Sequence, residues 1–302
     1  MEIGFLEAFS LPFMARALAT IAVLALAAGI VGLGISLREL EFVSDGLVHA
    51  VFPGLVIGAA VGGDAGMLPG AVVAALAAAV LFVLLGSGAS AWGAGGRHGR
   101  RGDMDAAIAV VLTGLFSVGV VVVSKQRGYV AQLQELLFGH LLTVTPAQFW
   151  QIVVVALIAI GIMLFTLRAQ LFHAFDSAGF EAAGFRPRVV DLALTVAIAL
   201  LTVAGVQALG VLMVVALLTV PMAVSRLLTR RLVVLVPIAV LVPLVAGAAG
   251  LWFAFDWSVR TDARVSAGAL VVLVLVACYA IAVLIGTLAR RTQAAARTGA
   301  GR

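Results

Sequence analysis

The chain has 302 residues, of which 64% are hydrophobic and 11% charged, with a formal net charge of +5 and a mean hydropathy of +1.22. A soluble domain of this length has too little interior to hide so much apolar surface, which excludes a water-soluble enzyme or binding module. The apolar runs approach twenty residues and lack the alternation of a lipid-facing barrel strand, so the chain reads as an all-α polytopic membrane protein.

In chain order the predicted spans are 12–36, 42–61, 67–86, 105–124, 149–167, 189–207, 208–228, 233–254 and 264–287, each bounded to within about four residues. Gly210 marks the junction of spans six and seven only weakly, so eight spans fit the same pattern. The first run, Leu11 to Leu37, exceeds a signal-peptide core and has no basic flank, and is expected to be a retained helix. Residues 1–289 read as a single membrane domain. Within it, 86–104 opens as "GSGASAWGAGGRHGRRGD", a flexible Gly/Arg-rich linker. Residues 290–302 read as a frayed basic tail.

The arginines orient the spans. Arg38, the Arg97–Arg101 cluster, Arg168 with Arg186 and Arg188, Arg226 with Arg230 and Arg231, and the tail arginines all fall on one side. That side is cytoplasmic by the positive-inside rule, which places the N-terminus outside and the C-terminus inside. It also explains the basic balance without a nucleic-acid partner. One cysteine, Cys278, lies in an apolar run, so neither a disulfide framework nor a thiolate cluster is available.

Two ionisable residues stand out in "EFVSDGLVHA" at 41–50. Asp45 and His49 are four apart and share a helix face. A carboxylate oxygen and an imidazole nitrogen together suit borderline divalent metals such as Mn²⁺, Fe²⁺ and Zn²⁺. A charge at the centre of a span costs about 2.5–3.5 kcal/mol on insertion scales, so such residues turn to a cavity or a partner. The spacing alone fits two readings equally: a metal path, or a mutual Asp–His pair near a helix start that Ser44 or Asp45 caps. Pro53 and Gly54 come directly after and suggest a kink whose backbone lines a cavity.

The other candidates carry less. His98 reads as solvated and His173 as a boundary residue. His140, in an outward segment with Glu135, fits either an accessory ligand or a surface imidazole. Asp105 opens a span, where the helix dipole already satisfies it. Lys125 is the chain's one lysine, and its neighbours Ser124 and Gln126 do not make a phosphate loop, so ATP hydrolysis needs another chain. The stretch "FDSAGFEAAGFRPR" at 175–188 reads as a short cytoplasmic turn within a segment 168–188, suited to a partner or to ordinary connection.

Taken together these stretches resemble the membrane subunit of the metal-ion ABC transporters that serve zinc, manganese and iron. The resemblance rests on "LRELEFVSDGLVHAVFPG" at 37–54, "DAAIAVVLTGLFSVGVVVVS" at 105–124, "LLFGHLLTVTPAQF" at 136–149, "FDSAGFEAAGF" at 175–185, "LGVLMVVALLTVPMAVSRLLT" at 209–229 and "SAGALVVLV" at 266–274. They occur in collinear order over nearly the whole chain. The resemblance implies a type II ABC importer-like permease in the bacterial cytoplasmic membrane, not an enzyme itself. It implies that Asp45 and His49 lie in the metal path, with no permanently bound cofactor and a divalent ion as cargo. It further implies that Phe175, Asp176, Glu181, Ala182 and Gly184 couple to a separate ATP-binding subunit. A solute-binding protein would deliver the ion, and a second permease copy would complete the path. The family usually carries Asn or Asp where this chain has His140.

Two other functions fit the composition: a secondary metal transporter without an ATPase, and an importer of a metal chelate such as a siderophore or cobalamin. A membrane metalloprotease does not fit, because no H-E-x-x-H is present.

Overall fold

The computed structural model describes residues 5–92, 97–124, 137–261 and 265–299. Its elements are α1 (Phe5–Ser10), α2 (Pro12–Arg38), α3 (Glu41–Trp92), α4 (Arg97–Ser124), a 3₁₀ turn (Leu141–Thr143), α5 (Pro146–Phe175), α6 (Ser177–Ala182), α7 (Pro187–Leu209), α8 (Val211–Leu228), α9 (Leu232–Thr261) and α10 (Ala267–Gly299). Among the described residues these supply nine helices of membrane-spanning length and hydropathy, α3 contributing two, Glu41–Gly63 and Ala65–Leu85. No strand occurs among them.

Local chemistry sets the helix ends. Proline opens α2, α5 and α7, where its missing N–H costs nothing. Thr145 accepts from the Gln148 N–H while the Gln148 side chain accepts from the Thr145 N–H, a complete capping box at the start of α5. Inside the spans, Thr20, Thr195, Thr202, Thr219 and Ser225 each donate to the carbonyl four residues back, which hides their hydroxyls from the apolar surroundings.

The centre of the molecule is α2 against α7. Each is 67% buried over its apolar window, whereas Ala106–Ser124 is only 17% buried and lies at the periphery. Around this centre α3 makes a hairpin. Its chain reverses at Gly63, where φ is +59° and ψ −150°. The arms then close on glycines: a Cβ on Gly58 would meet the Gly66 oxygen at 2.3 Å, and one on Gly70 would meet the Gly54 oxygen at 2.3 Å. Close approach through small residues is how helices pack tightly where lipid removes the hydrophobic drive between them. Pro53 and Gly54, where the sequence suggests a kink, stay inside the helix, and the non-helical residue comes later at Gly63. Gly54 serves the hairpin contact.

A second glycine junction closes the C-terminal end of α7. Gly210 separates α7 from α8 at φ +78°, so these are two spans and not one. Gly139, at φ +72°, lies directly against it: a Cβ on Gly210 would stand 2.4 Å from the Gly139 nitrogen. The His140 N–H donates to the Ala208 carbonyl at 3.1 Å, and Arg16 donates to the Val144 carbonyl at 3.0 Å. Together these pin the segment ahead of α5 onto the ends of α2 and α7.

Two expectations change. The stretch 86–104, read as a flexible linker, is helical through Trp92 and again from Arg97, and the tail is helical to Gly299. A helix once nucleated in a span adds one bond per residue, which carries it into the Gly/Ser-rich 86–92 flank as well as the Ala- and Arg-rich tail. Glu135, Lys125, Arg127 and Arg264 lie outside the described residues, as do the side chains of His98 and Asp105.

Gly210→Val is expected to destabilise the protein by roughly 1–3 kcal/mol, since it combines left-handed backbone strain with a backbone clash. Gly286→Ala, with open space at its Cβ, should leave stability unchanged or raise it slightly. Thermal unfolding of the detergent-purified variants checks both.

Candidate metal site and coupling turn

Asp45 and His49 lie on the first arm of α3, which starts at Glu41. At 1.5 Å rise per residue they stand about 6 and 12 Å along that arm. His49 Nε2 is 3.6 Å from Asp45 Oδ1, with side-chain exposures of 25% and 33%. That separation is too long for a hydrogen bond. The imidazole packs edge-on against Phe116 of α4, ring centroids 5.6 Å apart, and its Nδ1 is buried without a hydrogen-bond partner. The helix does not start on Ser44 or Asp45; Ser44 lies inside the first turn and donates to the Glu41 carbonyl.

Asp45 differs from two other aspartates described within the spans. Asp191 pairs with Arg38, and Asp256 with Arg260. Among the described residues Asp45 has only the His49 ring beside it. Pro53, one turn beyond His49, lacks the N–H that a helix would send to the His49 carbonyl. Asp45, His49, Pro53 and Ile57 succeed one another at four-residue steps and so share a face. Beyond His49 that face opens into an apolar groove of about 610 Å³, bordered by Ala50, Pro53, Gly54, Ile57, Leu115 and Val118. The arrangement therefore offers a carboxylate, an imidazole and a backbone carbonyl without its helical donor on one face of α3, the groove opening one turn further along at Pro53. No group of three or more His, Cys, Asp or Glu forms a ready-made metal cage among the described residues.

His140 is remote from this pair. It bonds to Ala208, whereas Val43, beside Asp45, borders a cleft with Asp191 and Thr195. Asp191 and Ala208 are seventeen residues apart on α7, about 25 Å along its axis.

The turn between α5 and α7 is built on one aromatic. Phe180 of α6 is fully buried. Phe172 at 5.4 Å and His173 at 5.0 Å meet it edge-on, and Phe185 stacks on it at 4.9 Å. Asp176 caps α6 through its Oδ1, which accepts from the Gly179 N–H at 2.8 Å. Gly184 takes φ +82° and lets the chain turn into Pro187. Phe175 and Phe185 remain 70% and 54% exposed at the end of the helices. Glu181 borders a cleft of about 940 Å³ shared with Arg38, His173, Arg186 and Asp191, and Ala182 is exposed on the turn.

A family model described as the ABC 3 transport family matches residues 10–286. The chain belongs to that family. It is 28% identical to the manganese transport system membrane protein MntC of Halalkalibacterium halodurans, over 91% of this chain and 88% of that one. It is 26% identical to a probable iron transport system membrane protein of Haemophilus influenzae, over 92% and 95%. In fold it is similar to PsaBC from Streptococcus pneumoniae in complex with Fab, with a TM-score of 0.76, 22% identity, and 92% and 94% of the two chains covered. The protein is accordingly a multi-pass permease of the bacterial plasma membrane.

Two features were not read from the sequence. Arg38 counted only as a topological charge, yet it is 12% exposed and joins Asp191 and Gln170. Phe180 looked like one apolar residue in a loop. The spacing of Phe172, Phe180 and Phe185 was the available signal, and it has no regular period.

Phe180→Ala is expected to cost about 3–5 kcal/mol and to open the 175–187 turn to limited proteolysis. Phe175→Ala, at an exposed position, should leave unfolding temperature and proteolysis unchanged.

Proposed function

We propose that the protein is the membrane-spanning subunit of an ATP-driven importer for divalent manganese or iron, with Asp45 and His49 as ligands on the path of the ion. The observation that carries this reading is a carboxylate in a span with, among the described residues, no guanidinium paired to it and an imidazole one helical turn away. A divalent ion entering there gains one oxygen and one nitrogen ligand. Oxygen and nitrogen donors without thiolate suit manganese and iron, the metals named for the relatives above. The His49 carbonyl, relieved of its helical donor by Pro53, is offered as a third donor nearby.

The face that bears the pair is open on one copy. Asp45 facing lipid would be costly, so a second copy is proposed to cover it across a two-fold axis and enclose the groove. The same pair is the ion's resting point on the way in. An extracytoplasmic binding protein would hand over the ion at the Gly139–Gly210 end, and the ion would leave at the arginine-rich end.

ATP hydrolysis belongs to a separate subunit docked on the 168–188 segment. Its support is the pair of exposed aromatics, Phe175 and Phe185, on a turn made rigid by Phe180 and the Asp176 cap. Aromatic side chains that are exposed on one chain and rigidly held are common anchors of interfaces. Asp176, Glu181, Ala182 and Gly184 shape the turn around them. A chelate importer would not need the Asp–His pair, and a gradient-driven carrier would not need the docking turn.

Asp45→Asn and His49→Ala are each expected to abolish Mn²⁺ uptake in proteoliposomes while the complex with the ATP-hydrolysing subunit still purifies intact; normal uptake in either variant removes the site. Phe175→Ala should reduce co-purification of the ATP-hydrolysing subunit; undiminished co-purification would reject the docking assignment.

A further inference from the structure

We propose that Arg38, Gln170 and Asp191 form a positioning cluster that carries movement of the coupling turn to the Asp45–His49 pair, an inference that rests on the metal-permease reading above. Arg38 is the last residue of α2. Its Nη1 donates to Gln170 Oε1 on α5 at 3.2 Å, and its Nη2 donates to Asp191 Oδ1 on α7. Gln170, 2% exposed, in turn donates from Nε2 to the Val190 carbonyl at 2.8 Å. One guanidinium thus ties together the two helices that flank the coupling turn.

The geometry restricts how movement can pass. The cleft of about 940 Å³ separates the turn, with Glu181 and Arg186, from Leu40 and Val43 at the start of α3. Arg38 and Asp191 of the cluster border that cleft. If a docked partner shifts the turn, the last turn of α5 and the first turn of α7 shift with it, because Phe180 is locked between Phe172, His173 and Phe185. Separating the pair would leave the Arg38 guanidinium, 12% exposed, without its counter-charge, so the cluster moves as a unit.

Arg38 leads directly into an elbow. Glu39 has φ +54°, the one positive φ outside glycine among the described residues. Such backbone strain persists only where the surroundings hold it, and it gathers at switch regions. α3 starts two residues later at Glu41, and Asp45 is one turn beyond that. A pull on Arg38 is therefore delivered through a stiff, strained turn to the carboxylate that meets the ion. Arg38, Gln170 and Asp191 touch no ion themselves; they act through Asp45 and His49.

The test uses the permease assembled with its ATP-hydrolysing subunit in proteoliposomes, with Mn²⁺ as the probe. It reads Mn²⁺ transported per ATP hydrolysed, and the Mn²⁺ concentration giving half-maximal uptake. Arg38→Gln and Asp191→Asn should each lower the transport-to-ATP ratio by roughly tenfold, as expected for loss of a coupling interaction, with the half-maximal concentration unchanged. The double variant should be no worse than either single one, because both remove one unit. Arg38→Lys, which keeps the charge without the fork, should restore part of the ratio.

Glu39→Gly guards against misfolding, since glycine adopts that φ freely. It should assemble normally and still lower the ratio. Wild-type ratios in Arg38→Gln and Asp191→Asn overturn the proposal, as does a wild-type ratio in Glu39→Gly if those two fail to assemble. A raised half-maximal concentration with an unchanged ratio overturns it as well, since the cluster then acts on binding alone. Asp45→Asn runs in parallel. Normal uptake in that variant removes the metal-permease reading itself, whereas dead uptake there beside wild-type coupling in the cluster variants removes only the cluster's role.

Discussion

A carboxylate placed in an apolar span without a fixed counter-charge is the constraint on which the rest of this molecule depends. Water would solvate Asp45, lipid cannot, and no arginine reaches it among the described residues. Where the chain wants a carboxylate neutralised permanently it supplies a guanidinium, as at Asp191 with Arg38 and Asp256 with Arg260. Leaving Asp45 beside an imidazole and no more leaves room for a mobile cation. On the proposed reading neither side chain alone holds a divalent ion for long, and a two-ligand foothold suits a carrier, which must release what it binds.

The architecture holds that foothold in place from both sides. The first arm of α3 cannot drift from the second, because Gly54, Gly58, Gly66 and Gly70 bring their backbones into contact. Phe116 of α4 fixes the His49 ring edge-on. At the far end of α7 the Gly139–Gly210 junction fastens the outer segment by backbone contact, and Arg16 adds a hydrogen bond from α2. At the near end the aromatic socket around Phe180 makes the α5–α7 turn rigid. Rigidity at both ends, with a strained elbow at Glu39 between α2 and α3, is a plan in which small movements at one turn have somewhere definite to go.

Much of this was legible in the residues. Span order and approximate limits come from hydropathy alone, since lipid demands a long apolar helix and permits little else; nine rather than eight follows only from the backbone break at Gly210. The i, i+4 spacing of Asp45 and His49 placed them on one face before any coordinates. The hidden features depended on partners far apart in sequence. Gly54 looked like half of a kink because its contact, Gly70, lies across a reversal at Gly63 that local pattern does not announce. Arg38 looked like a topological charge because Asp191 is 153 positions away. His140 drew notice as a ligand type, and only the packing of its segment against Ala208 removed it from Asp45. The flanks at 86–92 and 290–299 read as loose by composition, yet helix propagation from the adjoining spans carries through them.

The most direct test of the central claim is a spectroscopic view of the ion itself. Pulsed electron paramagnetic resonance on the full permease complex loaded with Mn²⁺ reports nitrogen nuclei bonded to the metal. Coordination by Asp45 and His49 predicts coupling to an imidazole nitrogen that disappears in His49→Ala, with loss of bound Mn²⁺ in Asp45→Asn. Mn²⁺ that binds within the membrane domain with no nitrogen coupling, and with the same spectrum in both variants, would contradict it.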